Sequence, residues 1–280
     1  MRLLFIGDIV GRPGRDLVRR YLAALVRERG VDFVVANAEN AAGGAGITSE
    51  IANDLLRDGV DVLTTGNHVW DKREALEFIQ REPRLLRPAN YPAGTPGAGR
   101  IVATARGGAA VGVVNVMGRV FMAAIDDPFA TAAREIDAVK DAGARIVFVD
   151  MHAETTSEKM ALAYHLDGRA TAVIGTHTHV QTADERILPG GTAYLTDVGM
   201  TGPHDGVIGM DKAGVIARFT TALPVRFEPA TGDARLHAVL ITADERTGAA
   251  TGIERVALTA AALDDCAARL ARGEPAPTLP

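Results

Sequence analysis

The first part of the chain alternates short apolar runs with longer amphipathic stretches. Residues 2–6 form a continuous apolar run, which is typical of a strand buried on both faces. Pro13 can open the helix that follows, because its missing N–H costs little in a first helical turn, and Gly30 suits the end of that helix. The pattern therefore begins as a strand followed by a helix.

The same alternation continues to about residue 175. The first three apolar runs recur at intervals of about 30 residues, which is the length of a βαβ unit and predicts parallel strands. Further strands are predicted at 31–36, 60–64, 145–149 and 171–175, with helices at 47–56, 72–80, 128–142 and 157–167. Thr48 or Ser49 is a suitable cap for the helix at 47–56.

Two regions depart from this alternation. Residues 83–99 are rich in proline and glycine and indicate an irregular connection, which leads into a hairpin formed by 101–105 and 109–116. Beyond residue 190 the pattern favours an antiparallel sheet, with strands near 192–196, 213–221, 236–243 and 251–258. We therefore predict an α/β fold with two sheets, a single domain over 1–270, and a C-terminal tail over 271–280 that frays within the last dozen residues.

Composition narrows the classes of function. The chain has 280 residues, 47% of them hydrophobic, and a net charge of −5, so it lacks the basic balance of a protein that holds an extended nucleic-acid duplex. A small anionic substrate remains compatible, because bound metal ions can supply local positive charge. With one cysteine, no signal-like start and no apolar run of membrane-spanning length, the cytoplasm is the expected location.

Polar clusters follow five of the predicted strands. The carboxyl ends of strands in open α/β sheets meet at one edge, where ligands bind, so these clusters should converge. They are Gly7-Asp8, Asn37-Ala38-Glu39-Asn40, Gly66-Asn67-His68, Asp150-Met151-His152 and Gly175-Thr176-His177-Thr178-His179.

The side chains in these clusters suit a metal centre. Carboxylate and amide oxygens together with imidazole nitrogens, without sulfur, favour iron, manganese, zinc or cobalt. Six such groups exceed what one tetrahedral ion needs and fit two ions that share a carboxylate, about 3.5–4 Å apart. They are Asp8, Glu39, Asn67, His152, His177 and His179.

Structural explanations compete with this interpretation at single positions. Asp8 alone could be a turn former, and a lone histidine such as His152 is more often structural. His177 and His179 lie on one side of an extended segment, which favours a shared ligand role. His165 and His237 have no comparable context, and His204 could line the rim of the site.

The order of the clusters resembles the calcineurin-like metallophosphoesterases. That family has an early Asp, a bridging acid, Gly-Asn-His, a lone His and Gly-His-x-His, and here one residue is inserted after Gly175. Val10 stands where the family usually has a histidine, and the bridging acid is Glu39 instead of Asp. These departures resemble the YmdB-like branch of bacterial phosphodiesterases, as do the segments at 7–11, 66–71 and 196–200.

The resemblance implies a fold and an activity. The fold would be a two-sheet metallophosphoesterase sandwich flanked by helices, with the metal site at the carboxyl ends of the strands. The activity would be hydrolysis of cyclic nucleotides such as 2′,3′-cyclic AMP, a small phosphodiester substrate, through a hydroxide that bridges two metal ions. Iron is the expected metal, with manganese or zinc as alternatives, and a homo-oligomer is compatible.

The resemblance also implies residue roles. One ion would be held by Asp8, Glu39 and His179, and Asn40 or a water would fill the place left by the missing histidine. The other ion would be held by Glu39 together with the residues Asn67, His152 and His177. His68 would remain free of metal and protonate the leaving alkoxide as a general acid.

Three other functions remain open from the residues alone. A phosphomonoesterase or nuclease could use the same dimetal site, because the pocket beyond the metals decides the substrate. A metal hydrolase acting on a carbon centre is disfavoured, since the paired-histidine motif that usually begins such sites is absent. A non-enzymatic metal-binding regulator is also disfavoured, because a structural site needs no spare acid such as His68.

Overall fold

The computed structural model describes residues 1–274, and this part of the chain forms thirteen strands and seven helices. The strands are β1 (Arg2–Ile6), β2 (Asp8–Ile9), β3 (Phe33–Asn37), β4 (Val62–Thr64), β5 (Arg100–Thr104), β6 (Ala110–Met117), β7 (Ile146–His152), β8 (Ala172–Thr176), β9 (Arg186–Ile187), β10 (Ala193–Leu195), β11 (Met200–Pro203), β12 (Ala234–Ala243) and β13 (Ala250–Thr259). The helices are α1 (Gly11–Arg29), α2 (Ser49–Arg57), α3 (Ala75–Phe78), α4 (Pro128–Asp141), α5 (Thr156–His165), α6 (Lys212–Thr221) and α7 (Ala260–Arg272).

The strands are divided between two sheets. The first has the order β2-β11-β12-β1-β3-β4, with β13 paired to β12, and the second has the order β5-β6-β7-β8-β10-β9. In the first sheet β1, β3 and β4 run parallel, whereas β12 runs antiparallel to β1. In the second sheet β6, β7, β8 and β10 run parallel. The parallel strands therefore bring their carboxyl ends to one edge of each sheet.

The two sheets pack face to face between layers of helices. Phe5 of β1 and Phe148 of β7 meet in the core between the sheets, with ring centroids 4.7 Å apart. The outer face of the first sheet packs on helices that include α1 and α2, through residues such as Leu22 and Leu55. The outer face of the second sheet packs on α4 and α5. This arrangement confirms the predicted α/β sandwich with two sheets.

Local signals that were predicted from the sequence are present at two helix ends. The Thr48 hydroxyl accepts a hydrogen bond from the Ile51 N–H at the start of α2. Gly30 ends α1 with φ +58°, a left-handed conformation that glycine adopts without steric cost.

Two helical regions differ from the prediction. The predicted strand at 213–221 is wrong, because α6 occupies that segment and the Asp211 carboxylate caps it by accepting the N–H groups of Ala213 and Gly214. The predicted helix at 72–80 shortens to α3, and the carboxylate of Glu74, at the start of α3, accepts hydrogen bonds from the backbone N–H and hydroxyl of Ser49.

The C-terminal segment is also more ordered than predicted. Fraying was expected from about residue 269, but α7 continues to Arg272, because Leu263 and Cys266 are buried and Arg269 pairs with Glu28 at 2.7 Å. The predicted tail at 271–280 overlaps this helix at its start, and residues 275–280 lie outside the described part of the chain. Over residues 1–274, no helix combines the length and the apolar character that a membrane crossing needs.

Candidate metal centre

The predicted site residues meet at the carboxyl edge shared by the two sheets. Asp8 opens β2, Glu39 follows β3 by two residues, and Asn67 follows β4 by three. In the second sheet His152 is the last residue of β7, and His177 follows β8 directly. Because these strands run parallel within each sheet, residues that are far apart in the sequence become neighbours here.

The tightest part of the site surrounds the Nε2 atom of His152. This nitrogen lies 2.9 Å from Oδ1 of Asn67, 3.0 Å from Nδ1 of His177 and 3.1 Å from Oε1 of Glu39. Glu39, His152 and His177 form a group with the spacing needed to hold one metal ion. Oxygen and imidazole nitrogen atoms crowded in this way repel one another unless a cation or proton lies among them.

A second group lies on the other side of Glu39. Nε2 of His179 is 3.1 Å from Nδ2 of Asn40 and 3.8 Å from Oδ1 of Asp8, and the same Asn40 nitrogen is 3.2 Å from Oε1 of Glu39. Oδ1 of Asp8 is buried and has no hydrogen-bond partner within residues 1–274. A half-turn of the Asn40 amide would present its oxygen in place of its nitrogen, as a ligand role requires.

Hydrogen bonds outside the centre orient the three imidazole rings. Nδ1 of His179 donates to the carbonyl oxygen of Ile208 at 2.8 Å, and Nε2 of His177 lies 3.1 Å from a Glu154 carboxylate oxygen. Nδ1 of His152 lies 2.9 Å from the Thr176 hydroxyl, which in turn donates to a carboxylate oxygen of Asp150 at 2.7 Å. Each ring thus directs its other nitrogen toward the centre, which is how metal-binding histidines are held.

Burial and mutual attraction set the charges in the centre. Burial opposes ionisation, but the neighbouring His152 ring outweighs it and lowers the pKa of the Glu39 carboxyl to about 2. Burial also disfavours the charged His152 ring, but Glu39, with help from Asp8 and Asp150, outweighs it and raises the pKa of His152 to about 9. Burial raises the pKa of Asp8, and burial with the adjacent His152 lowers the pKa of His177 to about 3. The group thus retains a proton between Glu39 and His152 at neutral pH, and metal binding would displace it.

The residues present therefore fit metal ions. Two buried carboxylates, an amide oxygen and three oriented imidazoles supply hard and borderline ligands. The unpartnered oxygen of Asp8 marks a place where a buried acceptor lacks a donor, and such atoms are costly unless a cation compensates them. The single cysteine, Cys266, lies on α7 and not among these residues.

His68 lies at the edge of the centre. Its backbone N–H donates to Oε2 of Glu39 at 3.1 Å, which fixes the residue beside the metal-binding group. Its side chain is 39% exposed, and Nδ1 lies 2.8 Å from a carboxylate oxygen of Asp71. Nε2 is thereby left for contact with a substrate. The role of Asp71 was not predicted, although the spacing of three residues after His68 was a usable signal.

Arg12 and Arg15, which follow Asp8 closely in the sequence, are engaged elsewhere or lie on the surface. An Nη1 atom of Arg15 donates to the carbonyl oxygen of Ala41 at 2.6 Å, and Arg12 forms an exposed pair with Asp16 on α1. The remaining histidines lie outside the ligand cluster. His165 packs edge-on against Phe129, and His204 packs against His237 with ring centroids 4.5 Å apart.

The backbone of the cluster at 175–179 is strained, and hydrogen bonds to Asp197 hold it in place. His177 and His179 have φ values of 99° and 66°, in the left-handed region that side chains rarely adopt. Between them, the N–H and hydroxyl of Thr178 donate to Oδ2 of Asp197 at 3.1 and 2.8 Å. Lys159 donates to the same oxygen at 2.7 Å, and this ion pair is fully buried. Nothing in the sequence pattern marked Lys159, because its partner lies 38 residues away.

Gly66 allows the elements to approach closely. A Cβ atom at this position would lie 2.2 Å from Nε2 of His152 and 2.5 Å from Oε2 of Glu39. Real Cβ atoms do not come that close to other heavy atoms, so a side chain here would displace both groups. The glycine in Gly66-Asn67-His68 is therefore required by the packing of the site itself.

Known proteins resemble this chain over nearly its full length. A Bacillus subtilis (strain 168) protein named 2′,3′-cyclic-nucleotide 2′-phosphodiesterase is 52% identical over 256 residues, which cover 91% of this chain and 96% of that protein. A crystal structure of a hypothetical protein from Thermus thermophilus is 44% identical, with a TM-score of 0.86 over 92% of this chain and 99% of that one. A structure described as a novel phosphatase from Mycoplasma pneumoniae is 33% identical and also has a TM-score of 0.86, covering 92% of this chain and 93% of that one.

The family assignment rests on the same span as the site. The profile of the YmdB-like protein family matches residues 4–256, which include all of the predicted metal-binding residues. The names phosphodiesterase and phosphatase among the relatives agree with the predicted class of phosphoric ester hydrolase. The sequence patterns, the fold and these similarities together place the chain in the YmdB-like family.

Proposed function

We propose that this protein is a metal-dependent phosphodiesterase that hydrolyses cyclic nucleotides such as 2′,3′-cyclic AMP at a centre of two metal ions. The observation that carries the proposal is the buried cluster of ligand atoms around Glu39, next to a histidine that stays outside it. The name of the Bacillus subtilis relative supports the substrate class.

The proposed ligands divide into two sets that share Glu39. The first ion would be held by Asp8, Glu39 and His179, with Asn40 beside them. The second ion would be held by Glu39 and three residues of the tighter group, namely Asn67, His152 and His177. When bound, such ions activate water and neutralise the charge on phosphoryl oxygens. Iron is the proposed metal, because the oxygen and imidazole ligands suit it, and manganese or zinc could replace it.

The residues of the chain have separate tasks in this reaction. Glu39 would be common to both ligand sets, and His177 and His179 would be oriented by the strained segment that Asp197 bonds through Thr178. His68 would donate a proton from Nε2 while Asp71 bonds to Nδ1 and aligns the ring. That proton would pass to the alkoxide that leaves phosphorus, which prevents the expelled oxygen from re-forming the bond.

The test is a comparison of three substrate types. Protein loaded separately with iron, manganese or zinc would be given 2′,3′-cyclic AMP, 3′-AMP and a short RNA, and products would be resolved by chromatography. We expect ring opening of the cyclic nucleotide to a monoester that is not degraded further. Faster release of inorganic phosphate from 3′-AMP would identify a phosphomonoesterase, and cleavage of the RNA alone would identify a nuclease. Absence of turnover with all three metals would contradict an enzymatic role.

A further inference from the structure

An exposed phenylalanine follows the strand next to the metal centre. Phe121 lies in the connection between β6 and α4, is 89% exposed and has a φ of 60°. A left-handed backbone is rare and strained for a bulky residue. The exposed ring of Phe121 contributes no packing within residues 1–274, although its backbone is strained. Packing therefore does not explain why a large aromatic residue stands at this position.

The loop that carries Phe121 begins beside a proposed metal ligand. Met117, the last residue of β6, is paired with His152 in the parallel sheet, and the N–H of Gly118 donates to the carbonyl oxygen of His152 at 2.9 Å. Three peptide units separate Gly118 from Phe121, which limits their Cα atoms to about 11 Å apart. The Cα atom of Phe121 therefore lies within about 11 Å of Gly118, which is itself bonded to the backbone of His152, and this span is comparable with the length of a nucleotide.

Partly buried hydrogen bonds fix this loop in place. The carboxylate of Glu158, in the first turn of α5, accepts the N–H groups of Arg119 at 3.0 Å and Val120 at 3.3 Å. The N–H of Met122 then closes the turn on the carbonyl oxygen of Arg119 at 3.2 Å. Phe121 is thus displayed on a turn that is bonded on both sides, and its presentation costs little further ordering when a ligand arrives.

We propose that Phe121 is the stacking surface for the base of the nucleotide whose phosphodiester is hydrolysed at the metal centre. The inference rests on the proposed function and adds the part of the substrate that the metal ligands do not reach. Every nucleobase has a π face, so one exposed ring can bind purines and pyrimidines and favours the larger purine surface. The site would in this way prefer nucleoside cyclic phosphates to cyclic phosphates without a base.

The experiment compares a substrate with its base-free counterpart. Kinetics of 2′,3′-cyclic AMP and of the 2′,3′-cyclic phosphate of methyl riboside would be measured for the metal-loaded wild type and for Phe121→Ala, Phe121→Leu and Phe121→Trp. Tyr164→Ala is the matched control, because Tyr164 is also an exposed aromatic residue (55%) but lies near the C-terminal end of α5, which leads to the opposite edge of the sheet.

We expect Phe121→Ala to lower kcat/KM for the cyclic nucleotide by roughly 5- to 100-fold, mainly through KM, and to leave the base-free substrate unchanged. Phe121→Trp should restore the wild-type value, and Tyr164→Ala should have no effect. Equal losses on both substrates, or full activity of Phe121→Leu, would overturn the stacking role. A change of molecular mass in solution with Phe121→Ala would also overturn it, because a second copy would then cover the ring. If the wild type cleaves neither cyclic substrate, the proposed function fails first.

Discussion

Glu39 contacts both groups of proposed ligands as well as the backbone of His68. Its side chain is fully buried, one carboxylate oxygen contacts His152 and Asn40, and the other accepts the N–H of His68. A carboxylate can bridge two cations, whereas an amide of the same shape offers a single, uncharged oxygen. Loss of its charge should therefore affect both sets of ligands at once.

We predict that Glu39→Gln abolishes turnover and removes at least one metal ion while the fold persists, because the residue lies at a sheet edge. Metal analysis and circular dichroism would check this, with two ions per chain expected for the wild type. Glu50→Gln on the surface of α2 is the control and should change neither quantity. Normal turnover with both ions retained in Glu39→Gln would contradict the bridging role.

The role of His68 can be separated from metal binding by the choice of leaving group. We predict that His68→Ala retains both ions and loses roughly 10²–10⁴-fold in rate on a cyclic nucleotide, because its alkoxide needs a proton. The loss should be much smaller on a nitrophenyl ester, whose leaving group needs none. Parallel steady-state assays would show this, and His165→Ala provides a histidine control outside the centre. Equal losses on both substrates would assign His68 a positioning or ligand role instead.

The residues of the centre could be predicted from the sequence to different degrees. The proposed ligands were identifiable because each follows an apolar strand, and strand ends of a parallel sheet converge. Asp150, Thr176 and Lys159 were not assigned, because their importance comes from partners that only the folded chain supplies. Burial raises the pKa of Asp150 to about 7, a property that depends on its surroundings and not on its neighbours in sequence.

Among the elements, the connection after β4 has no room for a side chain at Gly66. We predict that Gly66→Ala abolishes activity and metal binding with little change in fold, because the new methyl group would overlap His152 and Glu39. Gly107→Ala in the β5–β6 hairpin is the matched control, since a Cβ there meets no atom within 4 Å. Metal analysis of the two variants would make the comparison. Metal retention by Gly66→Ala would show that the turn can move without cost.

The junction between α5 and the segment after β10 depends on the buried pair of Lys159 and Asp197. We predict that Lys159→Met lowers the free energy of unfolding by about 3–5 kcal/mol, because it leaves Asp197 buried and unpaired. Urea denaturation would measure this. Arg255→Met, which breaks a partly exposed pair with Glu185, should change stability by less than about 1 kcal/mol. A loss of similar size in both variants would contradict the importance of burial.

Elements with a local signal were predicted well, and those defined by distant contacts were not. The helices at 47–56 and 128–142 carry their own caps and periodicity, and the structure retains them. The segment at 213–221 has apolar residues that fit either state, and the Asp211 cap decides for a helix of which only Val215 is buried. Which strands pair across the sheet was beyond reach, because β1 lies between β3 and β12.

The molecule as a whole has a pH dependence that comes partly from His237. Burial lowers its pKa to about 4, well below the value of an unfolded histidine. At pH values between these two pKa values, His237 binds a proton in the unfolded state but not in the folded state. The free energy of unfolding therefore falls as the pH drops from about 6.5 toward 4.

We predict that the wild type loses more stability than His237→Gln between pH 7.5 and pH 5, by on the order of 1–2 kcal/mol. Denaturant unfolding at both pH values, at matched metal content, would give this difference. His165→Gln, on the surface side of α5, should follow the wild type. Identical pH dependence of wild type and His237→Gln would show that the buried ring accepts a proton without penalty.

The pairing of β1 with β12 has a consequence for the order of events during synthesis. Arg2 is paired with Thr242, and the amino group of Met1 donates to the carbonyl oxygen of Ala243. The partner of β1 is therefore synthesised some 240 residues after β1 itself. All proposed ligands, from Asp8 to His179, leave the ribosome before that partner exists. The growing chain therefore carries an apolar strand with an open edge, which is prone to aggregation. The complete set of proposed ligands is consequently assembled late, and a metal ion delivered earlier would meet residues that are not yet in place.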